Sequence, residues 1–189
     1  MKKVFFALIF LSSLTALAQK DCIYSVAPTK ENKDYKATTD YLMYEKVFGN
    51  SSTFVFFSLA NSEGVPLLNF QLLSKSKDFP EAHCFDKASR IYLQLLNGKI
   101  ITLMNAFEDQ CSNLVYDEKE KNNIRVLTSS FLFTKGSLEE LEKSPIAIMR
   151  IKYSTEVIDY PVKKELSSET ITGKFQPESY FINHLNCIE

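Results

Sequence analysis

Residues 90–107 read RIYLQLLNGKIITLMNAF, and the Asn97-Gly98 pair at their centre decides how the chain folds. On either side lie strand-like runs, Arg90 to Leu96 and Lys99 to Phe107. Asn-Gly between two such runs is a strong hairpin signal, because a two-residue type I′ turn needs positive φ at both central positions. That turn pairs Leu96 with Lys99. Ile91, Leu93, Leu95, Ile100, Thr102 and Met104 then share one face of the hairpin. The opposite face carries Tyr92, Gln94, Leu96, Lys99, Ile101 and Leu103 and is also partly apolar, so a sheet covered on both sides is expected.

The same chemistry recurs outward from this hairpin. Tyr41 to Phe48 and Thr53 to Ala60 are rich in aromatic and β-branched residues and flank Gly49-Asn50-Ser51-Ser52. Asn61-Ser62-Glu63-Gly64 turns into Leu67 to Leu73, with Pro66 at the strand's start, where a missing donor is tolerated. Ser74 to Asp86 reads as a loop. Leu114 to Tyr116 and Ile124 to Phe133 form a hairpin around the self-neutralising run Glu118-Lys119-Glu120-Lys121. Ile146 to Tyr153 and Glu156 to Val162 form another around Ser154-Thr155.

Two helices complete the pattern. Ser137-Leu138-Glu139-Glu140 has capping-box spacing and opens a short helix that stops before Ser144-Pro145. Gln176-Pro177 opens a C-terminal helix on which Tyr180, Phe181, His184, Leu185 and Ile188 make one stripe. Hairpin connections imply antiparallel pairing, and no strand–helix alternation suggests a parallel sheet. The expected fold is α+β and β-rich. It is an antiparallel sandwich or partly open barrel, with one short helix and a C-terminal helix packed on it. Residues 41–189 are expected to form a single domain, and the polar stretch 19–40 an irregular N-terminal arm.

At the N-terminus, Lys2 and Lys3 precede an apolar run from Val4 to Leu17, and Ala16-Leu17-Ala18 fits a small-x-small cleavage site. A spanning helix needs about 20 apolar residues, and this run is shorter and ends in Gln19-Lys20-Asp21. Residues 1–18 are therefore expected to be a cleavable secretory signal peptide. Asp21 occupies the place where a lipid-attachment site has a small residue, so Cys22 is expected to keep its thiol. No other run is long and apolar enough to span a bilayer. The expectation is an exported protein, periplasmic or secreted, with no stable membrane insertion after cleavage.

Export fixes the chemistry expected of Cys22, Cys84, Cys111 and Cys187. Four is an even number, and an oxidising compartment favours disulfides. Sequence alone allows three connectivities. Counting outward from the Leu96–Lys99 pair brings Cys84 opposite Cys111, at a hydrogen-bonded ladder position. That leaves Cys22 with Cys187, stapling the two ends of the domain.

Chemistry beyond disulfides finds little support. The net charge is −1 with acids and bases interspersed, which argues against a nucleic-acid partner or an anionic membrane surface. His83 beside Cys84, and His184 one helical turn before Cys187, raise a His–Cys metal site. The chain lacks the paired Cys-x-x-Cys knuckle of such sites, so no metal and no cofactor are expected. A His83-activated Cys84 is disfavoured because neighbours on a strand point to opposite faces. There is no Gly-x-Ser-x-Gly elbow, and the five glycines form no phosphate-binding loop. Glu108-Asp109, Asp117-Glu118 and Glu139-Glu140 could supply a glycosidase pair but read as solvated surface. No catalytic residue is nominated. Of the aromatics, most phenylalanines lie in the expected strands and are assigned to the core, while the tyrosines, including Tyr41, Tyr44, Tyr92, Tyr153 and Tyr160, are candidates for a recognition surface.

The functional expectation is a non-enzymatic binding or interaction protein of a bacterial-type cell envelope, its partner an unidentified protein or small ligand. This rests on architecture and missing motifs. The alternatives are a small secreted hydrolase with a spatially assembled site, and a carrier of an apolar ligand. A flat aromatic patch, a polar cleft with a perturbed acid or histidine, and a closed apolar cavity would distinguish the three. Intact-mass analysis of the exported product is expected to find a chain of 171 residues beginning at Gln19, once 18 are removed from 189. An exported chain that retains Met1 would overturn the cleavage assignment.

Overall fold

The computed structural model describes residues 22–27 and 34–189, so the signal-peptide expectation for 1–18 lies outside the described residues. The chain begins with β1 (Tyr24–Val26), β2 (Tyr35–Thr38), β3 (Tyr41–Phe48), β4 (Ser51–Ser62) and β5 (Val65–Ser76). It continues through β6 (Cys84–Phe85), β7 (Arg90–Leu95), β8 (Ile100–Asn105), β9 (Gln110–Cys111), β10 (Asn113–Asp117) and β11 (Asn122–Phe133). After α1 (Ser137–Leu141) come β12 (Ile146–Lys152), β13 (Val157–Pro161), β14 (Leu166–Ser167) and β15 (Lys174–Phe175). A 3₁₀ turn (Pro177–Ser179), α2 (Tyr180–His184) and a second 3₁₀ turn (Leu185–Cys187) end the chain.

β6 with β9 and β14 with β15 form two small pairs, and the other eleven strands form one large antiparallel sheet that has β1-β2-β4-β5-β11-β8-β7-β12-β13 as its path and does not close into a barrel. Its spine is β4, β5 and β11, each twelve residues long. These outlast any single neighbour. β3 pairs with Ser51 to Phe57 of β4, and β2 takes over from Ala60 to Ser62. On the far side, β10 pairs with Asn122 to Val126 of β11, and β8 takes over from Phe131 to Phe133.

Strand alternation sends Val55, Phe57 and Leu59 of β4 inward with Leu68, Phe70 and Leu72 of β5. Ile91, Leu93, Met149 and Ile151 from β7 and β12 join them, and Tyr180, Phe181 and Leu185 of the C-terminal helix cover this face. Burying each such side chain contributes about 1.5–3 kcal/mol. A smaller cluster lies on the other face, where Leu42, Phe54 and Phe56 meet Leu166, Ile171 and Phe175. The strap from β14 to β15 is what covers it.

The Asn97-Gly98 hairpin forms, but in another register. Leu95 donates its N–H to Lys99 O at 2.8 Å, leaving Leu96, Asn97 and Gly98 as a three-residue loop. Only Gly98 has positive φ (85°), the signature of a turn followed by a glycine bulge. Ile91 therefore opposes Leu103, and Leu93 opposes Ile101. The slip flips every β8 side chain. Ile101 and Leu103 are buried, whereas Ile100, Met104 and Leu96 are exposed, so the hairpin is covered on one side only. Burial of two large aliphatic residues outweighs the turn preference.

Both disulfides form as expected, Cys84–Cys111 and Cys22–Cys187. An extra residue after β8 restores the pairing count, so Cys84 lies directly opposite Cys111, with Cα atoms 4.0 Å apart. Ser112 donates its N–H to His83 O at 2.9 Å. The flanking residues thus carry the hydrogen bond, and the cysteines occupy a non-hydrogen-bonded position rather than the hydrogen-bonded one expected.

Three other expectations are corrected. Within 19–40 the described residues are not irregular throughout, since β1 and β2 lie among them, with Tyr24 Oη donating to Cys187 O at 2.9 Å. Each strand is too short and polar to show a pattern. Gly136, with φ 79°, precedes α1 in place of a serine cap, and Ser137 hydrogen-bonds Thr134 instead. The C-terminal helix is broken into 3₁₀, α and 3₁₀ pieces, although Tyr180, Phe181, Leu185 and Ile188 are buried as expected.

Disulfides are consistent with a non-cytoplasmic environment. Among the described residues, no helix is long and apolar enough to cross a membrane. In the chain-entropy account, the 165-residue separation of Cys22 and Cys187 makes that bridge worth about 5 kcal/mol, against about 3.5 for the 27-residue loop. Denaturant unfolding of the paired Cys→Ser variants is expected to show the larger loss for Cys22/Cys187.

Candidate functional site

The level at which the spine strands change neighbours is also where their outer face turns polar. Ser58, Asn69 and Ser130 lie directly opposite one another on β4, β5 and β11. Ser130 Oγ donates to Asn69 Oδ1 at 2.7 Å, and Asn69 Nδ2 donates to Ser58 Oγ at 3.3 Å. Gln71 and Thr128 make the adjacent outward pair. Among the described residues, no strand pairs with the edge of β11 between β10 and β8. Ala106 donates its N–H to Ser130 O there, at 2.9 Å, and leads Phe107 and Gln110 to the rim. At the opposite rim is the β2–β3 corner, where Thr38 Oγ1 accepts the Leu59 N–H at 2.9 Å and Asp40 is exposed. The result is a groove of about 280 Å³ running from Asp40 to Phe107.

A second cleft of about 280 Å³ shares Asp40 as a wall. Its floor is aromatic. Tyr41 lies 5.3 Å from Phe175 edge-on, 5.1 Å from Tyr180 and 5.0 Å from His184, measured between ring centroids. Lys174, Thr38 and Thr39 add polar groups around it. The Tyr41 hydroxyl accepts the Gln176 N–H at 2.6 Å, which fixes the ring. Burial raises the Tyr41 phenol above its ordinary value, and the Gln176 N–H opposes that rise. His184 Nδ1 sits 2.8 Å from Tyr180 O, on its own helix. The Tyr180 hydroxyl is buried beside Thr38, whose side chain opposes the rise that burial gives the phenol. Groove and cleft together offer hydroxyls, amides, one carboxylate and ring faces to a ligand spanning both.

The residues nominated from sequence fall elsewhere or divide. His83 and His184 are not brought together, and all four cysteines are in disulfides. Among the described residues, no group of three or more His, Cys, Asp or Glu could hold a metal ion. His83 Nδ1 is 2.6 Å from Glu156 Oε1, and its ring lies 4.9 Å from that of Tyr153. Tyr153 stacks on Phe85 and shares a 2.8 Å hydroxyl contact with Tyr160, whose ring meets Tyr44 edge-on. Tyr153 and Tyr160 belong to the interior rather than to a recognition surface, and Tyr44 is partly buried against it. Of the five nominated, Tyr41 lines the cleft and Tyr92 is half-buried on β7. Glu108 pairs with Lys87, Asp117 accepts loop N–H groups, and Glu140 pairs with Lys99, which lowers its carboxyl.

Asp40, Ser58, Asn69, Gln71, Thr128, Ser130 and Phe107 were not singled out by sequence. The available signal was a serine, asparagine or glutamine at alternate positions in otherwise apolar strands.

Burial raises the phenols of Tyr153 and Tyr180 well above the ordinary value and pushes Tyr160 up to about 12. An unfolded chain ionises these groups near pH 10, whereas the folded chain resists. The stability they contribute is therefore complete below pH 10 and is lost as pH rises toward the folded values. Thermal unfolding is expected to be unaffected by these groups from pH 7 to 9 and to fall steeply above 10. Tyr160→Phe, which removes one of them, is expected to flatten that fall.

No known protein family, curated protein or solved structure matches this chain.

Proposed function

We propose that this chain is an exported, non-enzymatic binding protein of the cell envelope that holds a hydroxyl-rich, saccharide-type ligand across the groove and cleft. The observation that carries the reading is Asp40, the shared wall between a hydroxyl–amide track and an aromatic cleft. A sugar chain presents hydroxyls at its edges and C–H faces above and below. Such a ligand needs fixed amides and hydroxyls on one side and ring faces on another. A carboxylate adds the stronger, charge-assisted acceptor. Export is supported by the Lys2-Lys3 signal pattern and by two disulfides.

The alternatives have less behind them. His83 has a carboxylate partner, as a hydrolase would need, but it lines neither groove nor cleft and its ring is packed against Tyr153. A carrier needs an apolar interior with room, and the inner face is filled by Phe57, Phe70, Phe85, Phe131, Tyr180 and Phe181.

Amide chemical-shift mapping with a panel of neutral oligosaccharides tests the proposal. Shifts are expected at Asn69, Gln71 and Phe107, with Asp40→Ala weakening binding about tenfold or more through loss of charged hydrogen bonds. Shifts confined to other surfaces, or an Asp40→Ala variant that binds as before, would overturn it.

A further inference from the structure

Four strands of the main sheet have a strand neighbour on one side only among the described residues: β1, β3, β10 and β13. An open strand edge invites another chain to pair, and proteins blunt such edges with bulges, charges, prolines or brevity. Three of the four carry these devices. β1 is three residues long and bulged between Tyr24 and Val26. β3 has a bulge between Leu42 and Tyr44 and carries Glu45 and Lys46. β13 carries Asp159 and ends in Pro161.

β10 carries none. It pairs with β11 in unbroken register from Asn113 to Asp117, without lysine or proline. Among the described residues no backbone hydrogen bond reaches its outer edge. Its three central residues are all exposed, Leu114 at 42%, Val115 at 56% and Tyr116 at 55%. They project on both faces of the sheet, so the strand stands clear of the core.

We infer that β10 pairs antiparallel with β10 of a second copy of this chain, about a two-fold axis at Val115. The sequence of the edge is what selects this occupant. Centring on Val115 places Val115 against Val115, Leu114 against Tyr116 and Asn113 against Asp117. Apolar residues meet apolar residues, and each carboxylate meets an amide. One step outward, Glu118 faces Ser112, so no like charges oppose each other. Sliding the pair by two residues puts Val115 opposite Asp117 or Asn113 and breaks the match. The contact is isologous and therefore closes at two chains instead of growing. It joins the two spines into one continuous sheet and leaves groove and cleft uninvolved. The contact does not depend on the ligand proposal above.

Sedimentation equilibrium of the exported protein over a rising concentration series is expected to show a monomer–dimer equilibrium. Val115→Lys sets two ammonium groups face to face at the axis and should raise the dissociation constant at least about tenfold. Circular dichroism and denaturant unfolding of that variant should match the parent, because Val115 is exposed. Val115→Cys should form an interchain disulfide under mild oxidation, whereas Asn113→Cys, offset from the axis, should not. A chain that stays monomeric at every concentration overturns the proposal, and would leave the edge to a foreign strand. A dimer that Val115→Lys leaves intact, or that Asn113→Cys cross-links as well as Val115→Cys, also overturns it.

Discussion

Phe70 occupies the middle strand of the spine, and its ring lies 6.2 Å from Phe57, 5.3 Å from Phe85 and 6.2 Å from Phe131. Through these contacts it ties together the elements that meet on the inner face of the sheet. Phe57 and Phe131 belong to the flanking spine strands, and Phe57 in turn meets Tyr180 and Phe181 of the C-terminal helix. Phe85 comes from the two-residue strand that bears Cys84, and it stacks on Tyr153 at the end of β12. Edge-to-face pairs add about 0.5–1.5 kcal/mol each beyond area burial. The β6–β9 pair is too small to hold its own place, so the Phe85 ring and the Ser154 N–H to Cys84 O bond anchor it to the sheet.

A spine this long has a geometric consequence. No flanking segment matches twelve residues, so each outer edge is shared by two shorter strands, and a corner is left between them. At the β2–β3 corner a side chain stands in for the missing backbone partner, Thr38 Oγ1 accepting the Leu59 N–H. At the β8–β10 corner the chain crosses irregularly and carries Phe107 and Gln110 to the outer face. The strap that covers Phe54 and Phe56 stops short of this level, so Asn69 and Ser130 stay partly exposed and, with the buried Ser58, satisfy one another. The candidate site is thus a by-product of strand length, placed where ladder hydrogen bonding is discontinuous.

The hairpins and both cross-links were legible because turn residues and cysteines act locally or come in even numbers. Register was not. Asn97-Gly98 marks a reversal but does not count loop residues, and the choice between burying Leu103 or Met104 is made by the facing layer. Cys84 and Cys111 were matched by counting because the slip in the ladder and the extra residue after β8 cancel. The site had no local signature at all. Ser58, Asn69 and Ser130 are distant in sequence, and each alone is an ordinary outward polar residue on a half-covered strand. Only the pairing of β4 with β5 and of β5 with β11 sets them in a row.

The histidine nearest a cysteine shows how a residue with chemical potential becomes structural. His83 precedes Cys84, so the disulfide fixes its backbone, and its carbonyl accepts the Ser112 N–H across the β6–β9 pair. Its ring is then held between the Glu156 carboxylate and the face of Tyr153. Tyr153 passes the constraint on through its hydroxyl contact with Tyr160 and through Tyr160 to Tyr44 on β3. One run of contacts therefore links the disulfide to the strand that closes over the core from the other side. No hydrogen-bonded ladder joins β13 to β3. The tyrosine contact supplies the closure that backbone pairing does not, and in doing so it holds the β2–β3 corner, with Asp40 on it, at a fixed distance from the spine.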